Sequence, residues 1–316
     1  MINLKNVSKY YGSNLGISDI SFTVEKNEII GLLGENGAGK TTIMNIATGY
    51  ISSDEGTVEI DGHDILKEPK KAKAKIGYLP EKPPVYMDMT VDEYLDFCAS
   101  LKGVGKEQQA KHIEEICALT GIGEVRKRLC KNLSKGYVQR LGIAQALIGN
   151  PEILILDEPT IGLDPNQIIQ IRNLIKKLGK KHTIIVSSHI LAEVTQICHR
   201  IIILSKGKIA ACDTLDNLKK SLNENDCIEV RIKKTDESFS DELKKIKDIV
   251  SVVPVGELEG NSFDFIINCK KGGGARESIF NAAVNNKKEI IMMRPKENTL
   301  EDIFLQVTRA NEEKEK

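Results

Sequence analysis

Eight residues constrain the fold of this 316-residue chain more than any other stretch: Gly34-Glu35-Asn36-Gly37-Ala38-Gly39-Lys40-Thr41 fits the phosphate-cradling pattern G-x-x-x-x-G-K-[ST]. The run Glu28 to Leu33 just before it is strand-like, and a helix is expected to follow. The glycines let consecutive backbone N–H groups turn inward as an anion nest at a helix start, where the helix dipole also favours negative charge. Lys40 is then placed to reach β- and γ-phosphates, Thr41 to put its hydroxyl on Mg2+, and Thr42 to sit beside the α-phosphate. Nucleotide binding on an α/β core is the expectation.

The rest of the chain supports that architecture. From Met1 to about Leu215 strand-like and helix-like segments alternate, and Ile153 to Leu156 and Thr183 to Val186 are short apolar runs of the kind buried parallel strands show. The pattern thins near Leu218 to Asp226, which places a domain boundary near 217 and divides the chain into 1–217 and 218–316. Beyond it Ile228, Val230 and Ile232 alternate with Glu229, Arg231 and Lys233, as in a strand with one wet face. Ser238 to Lys247 reads as a short capped helix, Ile249 to Val255 and Ser262 to Cys269 as a hairpin, Ala275 to Asn285 as a helix and Glu289 to Arg294 as a strand. That β-α-β-β-α-β order is the split-βαβ, ferredoxin-like pattern. A last helix is predicted with Thr299 and Asp302 as a capping box and Leu300, Ile303, Phe304 and Val307 along one face, before a charged tail from Asn311.

Composition narrows the function classes. The 45 basic and 45 acidic residues cancel, so nothing global argues for a nucleic-acid partner or an anionic membrane surface. No window approaches 18 uninterrupted apolar residues and no signal-peptide pattern opens the chain, so a cytoplasmic location is expected and any membrane association must come through a protein partner. Seven cysteines without a C-x-x-C pair indicate neither a disulfide framework nor a zinc site, and are expected to be small buried hydrophobes.

A phosphate loop alone leaves kinases, GTPases, helicases and transport ATPases open. Ile153-Leu154-Ile155-Leu156-Asp157-Glu158 narrows the choice, because it is an apolar strand ending in two carboxylates whose side chains point opposite ways. Asp157 is expected to bind Mg2+, directly or through water, and Glu158 to act as general base on the attacking water. The turn Ile161-Gly162-Leu163-Asp164-Pro165 follows, and Ser187-Ser188-His189 ends the strand from Thr183. Ligands of doubly wound sheets sit at the carboxyl ends of strands, so His189 falls where a γ-phosphate is expected. His63, His112, His182 and His199 have no such context.

Leu133-Ser134-Lys135-Gly136-Tyr137-Val138-Gln139-Arg140 opens a helix predicted to run to about Ile148. With the phosphate loop, the acid pair and His189 in this order, the chain resembles the ATP-binding subunits of ABC transporters, whose signature is LSGGQ. Ser134 and Gly136 match that signature; Lys135 and Tyr137 depart from it. The resemblance implies two ATP molecules sandwiched in a head-to-tail dimer, each between the phosphate loop of one subunit and the signature of the other. Asp164, in the turn just past the acid pair, is expected among the nucleotide-binding residues. Tyr11, before Gly12, matches the aromatic that stacks on adenine, and Glu81 in Gly77-Tyr78-Leu79-Pro80-Glu81 stands where most members place a glutamine that touches Mg2+ and the transmembrane partner.

The three departures, Glu81, Lys135 and Tyr137, are themselves similar to the branch of ABC exporters that carries drugs, antibiotics, polysaccharides, sodium or gliding-motility components, as is Glu297-Asn298-Thr299-Leu300-Glu301-Asp302-Ile303-Phe304-Leu305. The implied function is the ATPase subunit of an exporter, working with a second ATP-binding subunit and a separately encoded integral-membrane permease, peripheral on the cytoplasmic face. Residues about 82–130, or to about 150 with the signature helix, are the expected helical subdomain that docks on the permease. The competing reading is a soluble ABC ATPase acting as a mechanical clamp on ribosomes or DNA; against it the chain carries one cassette, no heptads and no basic arm. For the C-terminal domain a dimerisation or regulatory contact is preferred to a small-ligand sensor, since no charged pocket is visible there.

Overall fold

A strand that is apolar at every position must lie inside a sheet covered on both faces. The computed structural model, which describes residues 1–222, 225–258, 262–270, 272 and 274–296, places Ile29–Leu33 in such a position. It is buried throughout and pairs in parallel with Thr183–Ser188 on one side and Arg200–Ser205 on the other. Ile153–Leu156 and Ile76–Leu79 extend the parallel sheet beyond Thr183–Ser188, and Lys208–Thr214 closes the opposite edge antiparallel to Arg200–Ser205. The carboxyl ends of Ile29–Leu33, Thr183–Ser188 and Ile153–Leu156 are therefore neighbours, which brings the phosphate loop, His189 and the acid pair to one rim of the sheet.

A second, antiparallel sheet runs in the order Asn14–Val24, Ile2–Tyr11, Glu55–Ile60, His63–Asp64. The helix Lys40–Ala47 packs between the two sheets: Ile43, Met44, Ile46 and Ala47 share one core with Ile2, Leu4, Val58 and Ile60 of the antiparallel sheet and Ile30, Leu32, Ile153 and Ile155 of the parallel one. Each fully buried Ile, Leu, Val or Met side chain contributes about 1.5–3 kcal/mol, so the strand before the phosphate loop and the helix after it are both anchored in this buried core.

Helices Val91–Leu101, Lys106–Thr120 and Lys135–Leu147 follow the edge strand Ile76–Leu79. The first opens on a full capping box, Thr90 with Glu93. The third lies against the edge strand by a glycine contact from each side. A Cβ on Gly77 would run into the Ala146 carbonyl, and one on Gly142 would fall 2.5 Å from Leu79 Cδ1. The approach of backbone to backbone at Gly77, and of the Gly142 backbone to the Leu79 side chain, fixes the height of the helix over the sheet, and with it the position of Ser134 at its start.

The chain divides into two compact units, one over Met1–Leu215 and the other beginning at Asp216. In the second, the strands run Ile249–Leu258, Ser262–Lys270, Asn225–Lys233, Glu289–Pro295, all antiparallel to their neighbours. Helices Phe239–Lys244 and Ala275–Asn285 supply the crossovers, and Ile228, Val230, Ile232, Phe239, Leu243, Phe265, Ile267 and Ile279 form a core of its own. This is the ferredoxin-like arrangement expected from the β-α-β-β-α-β order. Because the two cores are separate, a chain ending at Asn217 is expected to melt in one cooperative transition; a broad, non-cooperative melt followed by circular dichroism would show that the first unit depends on the second.

Local details differ from the sequence reading. A helix, Leu215–Leu222, occupies the stretch read as a thinning of pattern. The helix predicted from Ser238 starts at Phe239, spans six residues, and has no side-chain cap: Ser238 is itself helical, and its N–H and Oγ donate to Asp236 Oδ1 at 2.9 and 2.5 Å. Asp236 has captured the serine that would have capped the helix, a local competition open to short polar side chains. Six cysteines are buried and none is in a disulfide, whereas Cys212 is exposed on the edge strand. The predicted helix with Thr299, Asp302 and its apolar face lies outside the described residues, as does the charged tail. Among the described residues no helix is long and apolar enough to cross a membrane.

Candidate active site

The phosphate loop turns through two glycines in the left-handed region, Gly37 at φ 84° and Gly39 at φ 106°. Gly34 and Ala38 are buried behind it: a Cβ on Gly34 would lie 2.8 Å from the Leu204 carbonyl and 2.9 Å from Ala38 Cβ. At Gly39 a Cβ would fall 2.6 Å from Ile17 Cγ2. Gly39→Ala therefore meets both a forbidden backbone angle and a filled core, and is expected to destabilise the chain by about 1–3 kcal/mol. A thermal melt checks this, since an unchanged midpoint would mean that the loop accommodates a side chain.

Lys40 folds back over the loop, 6% exposed, with Nζ donating to the Gly34 carbonyl at 2.7 Å and the Glu35 carbonyl at 3.1 Å. Its ammonium also stands 3.6 Å from Glu158 Oε1. Thr41 and Thr42 open the helix beside it. A cleft of about 620 Å³ joins Asn36, Gly37, Gly39, Lys40, Thr41 and Thr42 with Tyr11, Glu81, Glu158 and His189. Residues separated by up to 178 positions in sequence, Tyr11 to His189, thus line one space of a size suited to a small-molecule ligand.

Tyr11 ends the strand Ile2–Tyr11 half exposed, its ring over Gly16, where a Cβ would fall 2.7 Å from Cε2. Behind it Asp54 accepts from the Tyr10 N–H at 2.7 Å and pairs with Lys9 at 2.8 Å. Lys9 and the Tyr10 amide hold the Asp54 carboxyl below its ordinary value. The aromatic rim is consequently tied to the antiparallel sheet from below.

The two carboxylates diverge, but not by the strand alternation expected, because the strand ends at Leu156 and both acids lie in the turn beyond it. Asp157 is 1% exposed; its Oδ1 accepts from Ser187 Oγ at 2.6 Å, and its Oδ2, equally buried, has no hydrogen-bond partner among the described residues. A buried carboxylate oxygen without a donor is the feature a cation would complete. Glu158 turns the other way, with φ 45°, a left-handed angle that costs about 1–3 kcal/mol in a side-chain-bearing residue. Ser187 Oγ accepts from its N–H at 2.8 Å and its carbonyl accepts from Ile161 N–H at 3.1 Å, so the strained backbone is held from both sides. Glu158 Oε2 meets His189 Nδ1 at 2.9 Å. Tyr78, whose hydroxyl donates to Asn45 Oδ1 at 3.1 Å, has its phenol pushed above the ordinary range by burial and by the nearby Asp157 charge.

Ser134, Gly136 and Asp164 lie elsewhere. Ser134 is the N-cap of Lys135–Leu147, accepting from Tyr137 N–H at a long 3.5 Å, and Asp164 caps Pro165–Gly179, accepting from Gln167 N–H at 2.9 Å. With Gln167, Tyr137 and Glu124 they line a separate cleft of about 510 Å³ that shares no residue with the phosphate cleft. Gln167 covers Gly136, where a Cβ would fall 2.7 Å from Gln167 Cδ. Tyr137 donates a short hydrogen bond to Glu124, whose carboxylate raises the phenol's pKa.

Comparison with known proteins identifies the family. The chain matches the model of the ABC transporter family over residues 17–161, and that of the C-terminal domain of DrrA1-3-like ATP-binding proteins over residues 214–308. It is 32% identical over 309 residues to the linearmycin resistance ATP-binding protein LnrL of Bacillus subtilis (strain 168), with 98% of each chain covered. The chain belongs to the ATP-binding subunits of ABC transporters. Its similarity to the bacitracin transport ATP-binding protein BcrA of Bacillus licheniformis is 33% identity over 309 residues, 97% of each chain. Among solved structures, a dimeric ATP-binding cassette in a post-hydrolysis state bound to ADP and Pi superposes with a TM-score of 0.63 at 27% identity, over 68% of this chain and 99% of that one. As an ABC cassette, the chain is an ATPase that binds ATP.

Two features of the site escaped the sequence. Ser187 was legible only as part of the stretch before His189, whereas the strand continues through Ser188 and Ser187 is fully buried, bridging Asp157 and Glu158. Two hydroxyls at the end of an apolar strand were the available signal, since buried hydroxyls need partners. Gln167 had no signal, because its place over Gly136 depends on how two helices meet. The remaining histidines serve structure: His199 Nδ1 accepts from Ile29 N–H at 3.0 Å and His182 Nδ1 lies 2.7 Å from the Pro151 carbonyl, while His63 and His112 sit on Glu68 and the Gly149 N–H.

Proposed function

We propose that this subunit powers an exporter by closing, on ATP, against a second ATP-binding subunit in head-to-tail fashion. The observation that carries the proposal is the separation of Ser134 and Gly136 from the phosphate cleft within one chain. A signature cleft that opens on its own can serve a nucleotide held by another copy. Ser134 then offers the positive end of its helix to the γ-phosphate of the partner's ATP, so that ATP, with its extra phosphate, ties the halves together and ADP does not. Asp164, capping the helix beside that cleft, lies at the same contact.

Within the phosphate cleft Tyr11 stacks on adenine, the backbone N–H groups from Asn36 to Lys40 and the Lys40 ammonium take the β- and γ-phosphates, and Thr42 sits beside the α-phosphate. The orphaned Asp157 Oδ2, the Thr41 hydroxyl and the Glu81 carboxylate are a hard-oxygen donor set suited to Mg2+. When bound, Mg2+ neutralises charge on the β- and γ-phosphates. Glu158 takes the proton of the attacking water, and His189, 2.9 Å from Glu158 and exposed to the cleft, orients the base and the γ-phosphate.

The permease contact falls on the segment from 82 to about 130. Tyr86, Met87, Phe97 and Leu101 are exposed there, with Tyr86 and Phe97 in edge-to-face contact at 5.5 Å. The start of the same segment, Lys82 and Pro84, lines a cavity of about 750 Å³ that reaches Glu81 and Asp157 and is lined also by Tyr50, Tyr78 and Lys102. Exposed apolar clusters of this kind mark protein contacts. The route from permease to metal-binding carboxylates is short, which suits a subunit peripheral on the cytoplasmic face. The relatives named for linearmycin resistance and bacitracin transport favour export, and the clamp on ribosomes or DNA finds no support among them.

The test is a detergent pull-down of tagged Glu158→Gln protein with Mg-ATP from its host's membranes. Recovery of a polytopic membrane protein is expected; recovery of ribosomes, DNA or soluble proteins alone would replace the exporter with the clamp.

A further inference from the structure

Behind Glu158 and His189 lies a second buried carboxylate that the reaction as described does not use. Glu193, in the short helix Leu191–Val194, is 7% exposed, and a carboxylate so deep persists only where donors hold it. Its Oε2 accepts from Thr160 Oγ1 at 2.5 Å and from Ser188 Oγ at 3.2 Å. Thr160 is 6% and Ser188 2% exposed. Thr160 belongs to the turn that follows Glu158 and Pro159, where its carbonyl also accepts from Leu163 N–H at 3.2 Å. Ser188 precedes His189, and its Oγ accepts at 3.0 Å from the N–H of Ile190, the residue after His189. One carboxylate oxygen thus gathers the turn carrying the general base and both flanks of the histidine.

We propose that Glu193 is a positioning residue that sets the register of His189 against Glu158. This inference rests on the roles proposed above for those two residues. The physical argument is that neither is rigid by itself. Glu158 sits at a strained φ of 45°, and the His189 side chain is 40% exposed at a strand end. Their 2.9 Å contact joins two segments, the turn 158–163 and the segment 188–190, that are bonded to each other here through Ser187 on one side and Glu193 on the other. A charged acceptor makes stronger bonds to the two hydroxyls than a neutral one. Losing it frees the turn on the side away from Ser187, so Glu158 and His189 drift apart while the phosphate loop, which has no bond to Glu193 among those described, stays in place.

The test compares steady-state ATP hydrolysis, ATP affinity and the His189 Nδ1 resonance in 15N-histidine-labelled protein. Glu193→Ala is expected to lower kcat about 10- to 100-fold with KM for ATP within about twofold, and to shift the His189 signal. Thr160→Val, which keeps shape and loses only the hydroxyl, is expected to lower kcat about tenfold and serves if Glu193→Ala does not fold. Glu193→Gln keeps an acceptor oxygen for both hydroxyls and is expected to stay within about threefold of the parent. Losing Thr160→Val on top of Glu193→Ala is expected to add little, because both break one link. Parent kcat in Glu193→Ala and Thr160→Val, with Glu158→Gln inactive, overturns the positioning role alone. A matched loss of kcat and ATP affinity with an unmoved His189 resonance overturns it in favour of general structural support. Parent rates in Glu158→Gln remove the proposed base, and with it the role of Glu193.

Discussion

Glu158→Gln is expected to lower the turnover number for ATP hydrolysis by about 100- to 10,000-fold, the span that a positioned general base contributes. The amide fills the carboxylate's volume and can still reach His189 Nδ1, at 2.9 Å in the parent, but it cannot accept the proton of the attacking water. Binding is expected to survive, because the phosphate loop and the Gly34 and Glu35 carbonyls that hold Lys40 do not depend on Glu158. Closed dimers should therefore accumulate with ATP and elute early in gel filtration, and phosphate release should be nearly absent. A variant that hydrolyses ATP at the parent rate would remove Glu158 from the base role and shift attention to His189.

The second large effect is expected at Lys40. Its ammonium is 6% exposed and bonded to two loop carbonyls, so the side chain is held in place before any phosphate arrives. Charge-assisted contacts to phosphate oxygens contribute about 1.5–3 kcal/mol each. Lys40→Ala forfeits these, and ATP affinity is expected to fall about 100-fold or more in a calorimetric titration. It also removes the cation 3.6 Å from Glu158 Oε1, leaving that carboxylate to face an incoming triphosphate without its nearest positive charge. Titration curves that superpose for parent and variant would refute the phosphate-loop assignment. The two substitutions separate cleanly: one leaves binding and stops turnover, the other stops both.

The nucleotide-binding half was legible because its chemistry is local. The octapeptide from Gly34 to Thr41 carries its own geometry: Gly37 and Gly39 hold angles that other residues rarely adopt, and a strand and a helix on either side supply the rest. The strand Ile153–Leu156 delivers Asp157 and Glu158 to its carboxyl end as expected, but it is the left-handed turn at Glu158, not strand alternation, that separates them, and the element order of the second unit followed from its β-α-β-β-α-β pattern. Where local signals compete the reading failed, as at Ser238, a serine that the neighbouring Asp236 took from the helix it was expected to cap.

By itself the sequence determined the α/β class, the phosphate loop, the acid pair, the candidate histidine and the resemblance to ABC cassettes, all properties of residues within a few positions of one another or of motifs in a known order. Only the tertiary structure decided which of these meet. Strand order put Thr183–Ser188 between the phosphate-loop strand and the acid strand, and so set Ser187 as a bridge from Asp157 to Glu158 and His189 against Glu158. Close glycine packing at Gly77 and Gly142 set the helix Lys135–Leu147 on the edge strand, with Ser134 in a cleft apart from that of the phosphate loop. Glu193 became visible in the same way, since a carboxylate 33 residues from Thr160 declares its role only when both are buried side by side. Hydrogen bonds between distant segments leave no period or motif in the chain; they follow from how sheets and helices stack.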